Sequence, residues 1–302
     1  MSASATQREE RLGLLYAGAC ALLGAFTAPV SKLNTGLADA SFVAAFATLC
    51  GGAFASAQLA LRGELGWLAR RELVPWLLTL ALLGTGVAFL LFFEGAQRTS
   101  AIDATLCLQI EPAYSLALAW LVLHHAPTFK RVIATLAILG GIAIAVGAET
   151  ASGSAGVWLL LATPLAWQLS HLVVLRRLQG VPPHVLTAAR YLFGGAILLA
   201  YWAANGGADR LPAQASWRTL AFTLPLQGVV LGWAGTLTWY NAIVRLDLSR
   251  ATAIVVPSVP LLSFLASYVV LGEVATLREW AGLALTGAGV AMYVRAEHAT
   301  AS

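Results

Sequence analysis

The amino-acid sequence predicts an all-α polytopic membrane protein with ten transmembrane helices, arranged as two inverted five-helix repeats. The first observation is composition, because 59% of the 302 residues are hydrophobic and 11% are charged. Soluble domains carry roughly 25% charged residues. The second observation is a series of long apolar runs, and the third is an internal repeat. Together they indicate that lipid surrounds most of the chain.

Ten apolar runs follow one another along the whole chain. Each has about 20 residues, the length that a helix needs to cross roughly 30 Å of hydrocarbon. They lie at 12–31, 40–61, 73–95, 101–123, 131–148, 155–175, 183–203, 218–243, 248–271 and 279–295. The connectors between them are too short to hold a soluble domain. The first run is not read as a signal peptide, because it ends at Ala28-Pro29-Val30 without a small-x-small cleavage site.

The repeat is clearest between the middle and the end of the chain. The stretches that start at Pro112 and Pro260 run in step for 38 residues at an offset of 148, with ten identical positions. In the third and eighth runs, 86–96 parallels 232–242 at an offset of 146. Both copies read as a proline-broken helix, a polar turn and a glycine-rich helix. Matching runs, charges and prolines therefore indicate a duplication.

Five runs per half mean that the second half enters the membrane upside down. Inverted repeats of this kind are typical of proteins that move solutes across a bilayer. We divide the chain into a cytoplasmic N-terminal tail (1–11), a first repeat (12–150), a second repeat (151–296) and a cytoplasmic C-terminal tail (297–302).

The positive charges predict the orientation. With both termini in the cytoplasm, twelve Lys and Arg residues lie on the inner side, five lie outside, and Arg190 alone lies well inside a run, away from both of its ends. This is the positive-inside bias, and we expect a multi-pass protein of a bacterial-type inner membrane. The net charge of +4 is accounted for in this way, so no nucleic-acid partner is predicted.

The three cysteines, Cys20, Cys50 and Cys107, all fall inside apolar runs and show no Cys/His metal spacing. We therefore predict no disulfide framework, no metal and no cofactor. There is also no HExxH, GxSxG or Walker-type loop, so neither an enzyme nor direct use of ATP is expected.

The segment Val270-Leu271-Gly272-Glu273 to Gly282, followed by Gly287-Ala288-Gly289-Val290, resembles the closing motif of EamA-type transporters of the drug/metabolite transporter superfamily. The pair Glu111-Pro112 in the fourth run is also similar to that family. The chain departs from the pattern where His124-His125 replace Gly-Glu and where Val259 stands opposite Glu111. The resemblance covers essentially the whole chain and implies a ten-helix transporter, with the lipid bilayer and a small-molecule substrate as its partners.

Glu111 is the most informative polar residue within a run. It lies near the bilayer midplane, where a carboxyl group costs roughly 2.5–3.5 kcal/mol on insertion scales. The ring of Pro112 removes one backbone donor and so leaves the carbonyl of Leu108 unpaired. We predict that Glu111 couples transport to protons or binds a substrate ammonium. The alternative is a protonated or hydrogen-bonded side chain packed between helices.

Other residues complete the predicted substrate site and its hinges. Trp167 and His171 share one helix face, as do Trp233, Thr236 and Tyr240, and as do Phe89 and Phe93. An aromatic cavity of this kind suits amphipathic solutes, whereas simple helix packing is the alternative. The predicted substrate-binding residues are Phe26, Phe89, Phe93, Glu111, Trp167, His171, Trp233, Thr236, Tyr240 and Ser258. The predicted hinges are Pro112, Pro164, Pro257 and Pro260.

Several further residues receive structural interpretations. Arg190 can snorkel, pair with an acid or bind a carboxylate, and a structural role is favoured. Glu273 and Glu279 are expected to cap helices. The glycines of the fifth and tenth runs predict close helix packing, either as scaffold or as a homodimer surface. His124 and His125 are expected at a solvated helix end.

The leading functional hypothesis is a secondary-active transporter that exports small organic metabolites, such as amino acids, amphipathic metabolites or drugs, by alternating access. A proton gradient would drive it if Glu111 titrates. A channel-like or receptor protein is the alternative, and an intramembrane enzyme is the least favoured class because its chemistry would need clustered catalytic groups.

Overall fold

The computed structural model describes residues 3–123, 126, 128–147, 154–246 and 248–301. Throughout these residues the regular elements are helices, with no strand. The α-helices are α1 (Ala3–Leu37), α2 (Ala40–Leu61), α3 (Val74–Ala81), α4 (Ala88–Arg98), α5 (Ala101–Leu108), α6 (Glu111–Leu123), α7 (Phe129–Val146), α8 (Ala155–Arg177), α9 (Pro183–Ala204), α10 (Trp217–Pro225), α11 (Gly235–Leu246), α12 (Leu248–Leu271) and α13 (Leu277–Ala301). His124 and His125 lie outside the described residues.

Eight helical stretches of the described chain are long and apolar enough to cross a membrane. They are Gln7–Leu37, Ala40–Leu61, Val74–Arg98, Ala101–Val122, Phe129–Val146, Ala155–Arg177, Pro183–Ala204 and Gln214–Trp239. The next apolar helix, Pro257–Leu271 within α12, is shorter, and α13 covers the tenth predicted run. The helical, multi-pass class is confirmed, while the count of ten membrane helices stays a prediction.

The helices pack into two compact units that interleave along the chain. Unit 1 comprises Met1–Pro29, Ala101–Ser154 and Gly235–Ser302, and unit 2 comprises Val30–Ser100 and Ala155–Ala234. The chain passes from unit 1 to unit 2 after Pro29, inside α1, and returns at Ala101, where α5 begins. It passes to unit 2 again at Ala155, where α8 begins, and returns at Gly235, where α11 begins. Each unit takes helices from both sequence halves. The compact units are therefore not the two sequence repeats.

Unit 1 contains the glycine-rich helices α7 and α13, which pack against each other. A Cβ on Gly141 would lie 2.6 Å from the Thr286 nitrogen, and a Cβ on Gly282 would lie 2.6 Å from the Gly141 oxygen. Side chains would thus separate the two backbones, and small residues are needed on both sides. The scaffold interpretation fits this contact. A homodimer would have to use other faces, such as the one at Gly287, which has nothing within 4 Å.

Unit 2 is built around the close pair α2 and α9. A Cβ on Gly52 would lie 2.9 Å from the Leu192 nitrogen, and one on Gly195 would lie 3.2 Å from the Leu49 nitrogen. At one end of the pair lies a buried apolar core. Its buried members are Ala55, Leu59, Leu68, Leu77, Leu80, Leu178, Val181, Val185, Leu186, Ala188 and Ala189.

The fourth and ninth membrane segments differ in continuity. The fourth is interrupted by a short turn, since α5 ends at Leu108 and α6 begins at Glu111, while Gln109 and Ile110 donate i to i+3 hydrogen bonds to the Leu106 and Cys107 carbonyls. The ninth is not, because α12 runs through both Pro257 and Pro260, and α8 likewise continues through Pro164. The expected proline break of the ninth segment is therefore wrong in the structure described, and only the Glu111–Pro112 copy is broken.

The third and eighth segments share a feature that the sequence analysis did not predict. Each contains a π-helical segment, Leu82–Val87 between α3 and α4 and Leu226–Ala234 between α10 and α11. Shifting the first by the repeat offset of 146 places it at 228–233, inside the second. Single π-turns occur frequently at functional sites. The distortion is thus repeated in both copies.

Candidate functional site

The first π-helical segment positions an arginine inside unit 2. A π-turn widens the helix, so the usual i to i+4 pairing of its carbonyl groups is disrupted. The Gly84 carbonyl accepts a hydrogen bond of 2.7 Å from Arg190 Nη2. Gly84 also has no room for a side chain, since a Cβ there would lie 2.7 Å from Ser170 Oγ and 3.2 Å from Arg190 Nε. The guanidinium is therefore fixed against a bare stretch of backbone.

Helix α8 supplies the other side of this site. Its buried residues include Leu160, Pro164 and Ser170. Trp167 follows the buried Leu160 by seven residues, and His171 follows the buried Pro164 by seven. Seven residues are about two helical turns, so each lies on the side of the helix of the buried residue that it follows. His171 is nevertheless exposed, and the Arg190 guanidinium is near enough to act on it electrostatically.

We call this group the Arg190 cluster. It consists of Gly84, Thr85, Trp167, Ser170, His171 and Arg190. Within the described residues, Arg190 Nε, Trp167 Nε1 and Thr85 Oγ1 are buried and have no hydrogen-bond partner. Unpaired buried polar groups are rare in folded proteins, and each calls for an explanation such as an unseen ion, water or ligand.

Depth along the helices places the cluster well inside the predicted membrane segments. Arg190 follows the start of α9 at Pro183 by seven residues, and His171 precedes the end of α8 at Arg177 by six. At 1.5 Å per residue, both lie about 10 Å from the helix ends that the 178–182 connector joins. Arg190 and His171 thus lie at a similar depth along their helices.

Aromatic rings of unit 2 make several edge contacts with one another. Phe89 contacts Tyr191 at 6.0 Å and Phe93 at 6.1 Å between ring centroids, and Trp233 contacts Phe54 at 4.7 Å. Phe93 is buried, whereas Phe89 and Trp233 keep partial exposure. Phe89 and Trp233 are consequently better placed than Phe93 to touch a solute.

The remaining predicted substrate residues belong to unit 1. Glu111 opens α6, so its carboxyl group lies at the positive end of that helix dipole. Ser258 donates a hydrogen bond of 2.6 Å to the Ile254 carbonyl one turn earlier. Phe26 and Thr236 are half-buried, and the side chain of Tyr240 lies outside the described residues. The structure thus divides the predicted set between two separate units.

The fourth and ninth segments contact each other within unit 1. The Thr105 hydroxyl of α5 lies 2.8 Å from the Ser263 hydroxyl of α12. Val259, the repeat counterpart of Glu111, packs towards α1, because a Cβ on Gly24 would lie 3.2 Å from Val259 Cγ2.

A second buried polar network lies in unit 2 and was missed by sequence reasoning. Asn34 Nδ2 donates to Gln227 Oε1 at 2.6 Å, Thr223 Oγ1 donates to Asn34 Oδ1 at 2.5 Å, and Gln227 Nε2 donates to Ser31 Oγ. The predicted first run ends at 31, so Asn34 lies outside it. The spacing of Ser31 and Asn34, three apart, and of Thr223 and Gln227, four apart, is the signal that could have identified these faces.

The glutamates around the 272–279 turn act as caps. The Glu273 carboxylate accepts from the Ala101 nitrogen at 3.0 Å, at the start of α5. Thr276 and Glu279 form a capping box, in which the Thr276 nitrogen donates to Glu279 Oε2 at 2.6 Å and the Glu279 nitrogen donates to Thr276 Oγ1 at 3.3 Å. The expectation that these acids anchor helix ends agrees with these contacts.

Comparison with known proteins adds a family and a fold. The family model described as "EamA-like transporter family" matches residues 11–147 and again residues 154–295. A solved crystal structure, titled only as that of a protein, is similar over 98% of this chain and 99% of its own, with 19% identity and a TM-score of 0.64. Among curated proteins, none matches this chain.

Proposed function

Because this chain belongs to the EamA-like transporter family, we propose that it is a secondary-active exporter of small organic metabolites that works by alternating access. The proposed topology has ten membrane helices in two inverted repeats, with both termini in the cytoplasm of a bacterial-type cell. The positive-inside bias supports this orientation, and the two family matches support the two repeats.

The interruption of the fourth membrane segment is the observation that carries the proposal. Two residues, Gln109 and Ile110, separate α5 from α6, and Glu111 begins the second part. Discontinuous helices with a polar or ionisable group near the midplane are the usual way in which transporters build substrate and ion sites. An acid placed there is a functional candidate by default because the bilayer penalises it. We propose Glu111 as the proton-coupling group.

The aromatic residues support an organic solute. Phe89 and Trp233 are partly exposed in unit 2, and largely apolar pockets with few polar groups bind such solutes. Phe26, Thr236 and Ser258 of unit 1, together with Tyr240, stay in the proposed substrate set. Pro112 is kept as a hinge because it adjoins the observed helix break.

Glu111→Gln is expected to abolish solute-driven proton movement while leaving solute exchange intact. The amide keeps the size of the side chain but cannot release a proton. The measurement is made in proteoliposomes, where a pH-sensitive dye follows protons and radiolabelled amino acids and amphipathic amines follow the solute. Proton movement in the variant should fall to the level of protein-free liposomes.

Glu72→Gln is the matched control, since Glu72 is exposed in the 70–73 turn and should behave as wild type. Wild-type proton coupling in Glu111→Gln would remove Glu111 from this role. Solute flux that never saturates would instead indicate a channel, and flux against a gradient into inverted vesicles would establish export.

A further inference from the structure

We propose that the Arg190 cluster binds the carboxylate, or an equivalent anionic group, of the transported solute. This inference rests on the proposed transport function and specifies the substrate class: organic anions and zwitterions such as amino acids. Its site is the edge of the Arg190 guanidinium that points away from Gly84, together with the exposed ring of His171.

Charge balance within unit 2 is the first argument. All residues of unit 2 are described, and none of its acids forms an ion pair with Arg190. Asp39 bonds to Ser41 and pairs with Arg210, Glu64 pairs with His184, and Glu94 pairs with Arg98. Glu72 is exposed in a turn, and Asp209 is exposed in the short Gly207–Arg210 helix. Charged groups in membrane segments pair with one another or with backbone carbonyls. Arg190 has the Gly84 carbonyl but no counter-charge from these acids, and an anionic ligand would supply one.

Hydrogen-bonding capacity is the second argument. Arg190 has five N–H donors in a planar fork, and Nη2 is held by the Gly84 carbonyl. Nε is buried and lies on the same side, because a Cβ on Gly84 would lie 3.2 Å from it. The side chain as a whole keeps partial exposure. The donors left for the two oxygens of a carboxylate are those of Nη1 and the second N–H of Nη2, on the edge away from Gly84.

The neighbours of Arg190 complete the site. Gly194 lies one turn after Arg190 on α9, and a Cβ there would lie 2.6 Å from Thr85 Cβ. Thr85, whose hydroxyl is unpaired, therefore packs beside the arginine. Across from it, the Ser170 hydroxyl donates to the Trp167 backbone carbonyl. The Trp167 indole N–H has no partner among the described residues, so it and the Thr85 hydroxyl are further groups able to donate to an anion.

The competing interpretation is that Arg190 only caps the Gly84 carbonyl of the π-helical segment. That role explains the hydrogen bond from Arg190 Nη2 to the Gly84 carbonyl. It does not account for the exposed His171 beside the arginine or for the unpaired hydrogen-bonding groups of Trp167 and Thr85. It also predicts a different result, because loss of a structural contact lowers stability without changing preference between solutes of different charge.

The test compares two probes of the same shape, the anion 3-phenylpropionate and its neutral amide, 3-phenylpropanamide. Binding is measured on the purified protein in phosphatidylcholine nanodiscs by intrinsic tryptophan fluorescence, and uptake is measured separately in proteoliposomes. Wild type should bind the carboxylate at least about tenfold more tightly than the amide, since a hydrogen bond to a charged group contributes about 1.5–3 kcal/mol.

In Arg190→Gln this preference should disappear, and in Arg190→Lys it should be partly retained, because lysine keeps the charge without the fork. His171→Gln changes an exposed side chain, so it should reduce the preference for the carboxylate over the amide without loss of folding. This variant keeps the test valid if the Arg190 variants do not fold. Arg98→Gln, at an exposed arginine on α4, is the control.

The outcomes separate the two proposals. Equal affinity of wild type for both probes, or an unchanged preference in both Arg190→Gln and His171→Gln, would overturn the anion site. Carboxylate-selective binding without any uptake would leave the anion site and refute transport. Adding phosphatidylglycerol to the nanodiscs tests a lipid headgroup as the source of the anion. Competition by this lipid in wild type but not in Arg190→Gln would overturn a solute as the occupant.

Discussion

Gly228→Ala is expected to lower the stability of the folded protein strongly. A Cβ on Gly228 would overlap the carbonyl oxygen of Ala47 and would lie 2.9 Å from the Gly51 nitrogen. Both neighbours are backbone atoms of α2, so no side-chain rotation can relieve the contact. The π-helical segment and α2 would have to separate. Overpacking costs about 1–3 kcal/mol and occasionally more, and this site should reach about 3 kcal/mol or above.

The measurement is the apparent melting temperature in detergent, followed by size-exclusion chromatography after heating. Gly287→Ala is the matched control, because nothing lies within 4 Å of its Cβ position. Alanine in a helix interior is favoured over glycine by about 0.5–1 kcal/mol, so the control should melt at or above the wild-type temperature. If Gly228→Ala melts with wild type, the close approach of α2 and the π-helical segment is contradicted.

Gln227→Leu is expected to destabilise the protein by about 2–3 kcal/mol. The side chain is buried and contacts both Asn34 and Ser31. Leucine removes the acceptor of Asn34 Nδ2, and a buried polar group without its partner costs about 1–3 kcal/mol. Asn34→Leu should have an effect of similar size, since it removes the partner of Gln227 Oε1.

A double-mutant cycle makes this prediction specific. Asn34→Leu with Gln227→Leu should cost less than the sum of the single variants, because replacing both partners by apolar groups leaves fewer unpaired atoms. Gln214→Leu, at an exposed glutamine, is the control and should be close to neutral. Strictly additive losses in the thermal melts would show that the two amides do not interact.

The membrane segments were predictable because long apolar runs leave few alternatives. A run such as 183–203 must form its backbone hydrogen bonds internally in lipid, and the helix that does so is Pro183–Ala204. The break at Glu111 followed from Pro112, which cannot donate its backbone nitrogen. The same rule failed for Pro257 and Pro260, since α12 accommodates both prolines. Proline indicates where a helix can open, and its neighbours decide whether it does.

The site was harder to predict. The sequence predicts Trp167 and His171 as substrate-binding residues because they share a helix face. It favours a structural role for Arg190 because this arginine stands alone in its segment. Its environment comes from Gly84 and Ser170, which are distant in sequence. The π-helical segment that exposes the Gly84 carbonyl has no distinct sequence pattern. Asn34 lies outside the predicted first run, which ends at 31, whereas the first helix continues to Leu37.

The sequence by itself determined the class of protein, the membrane segments, the repeat and the family resemblance, because each depends on composition and spacing along one chain. Only the tertiary structure decided which helices form each compact unit, where the π-helical segments lie, and which polar groups face Arg190. The physical reason is that apolar periodicity records how strongly a helix avoids water but not which neighbour it contacts. Partners for a buried arginine or amide are set by close packing between segments far apart in sequence.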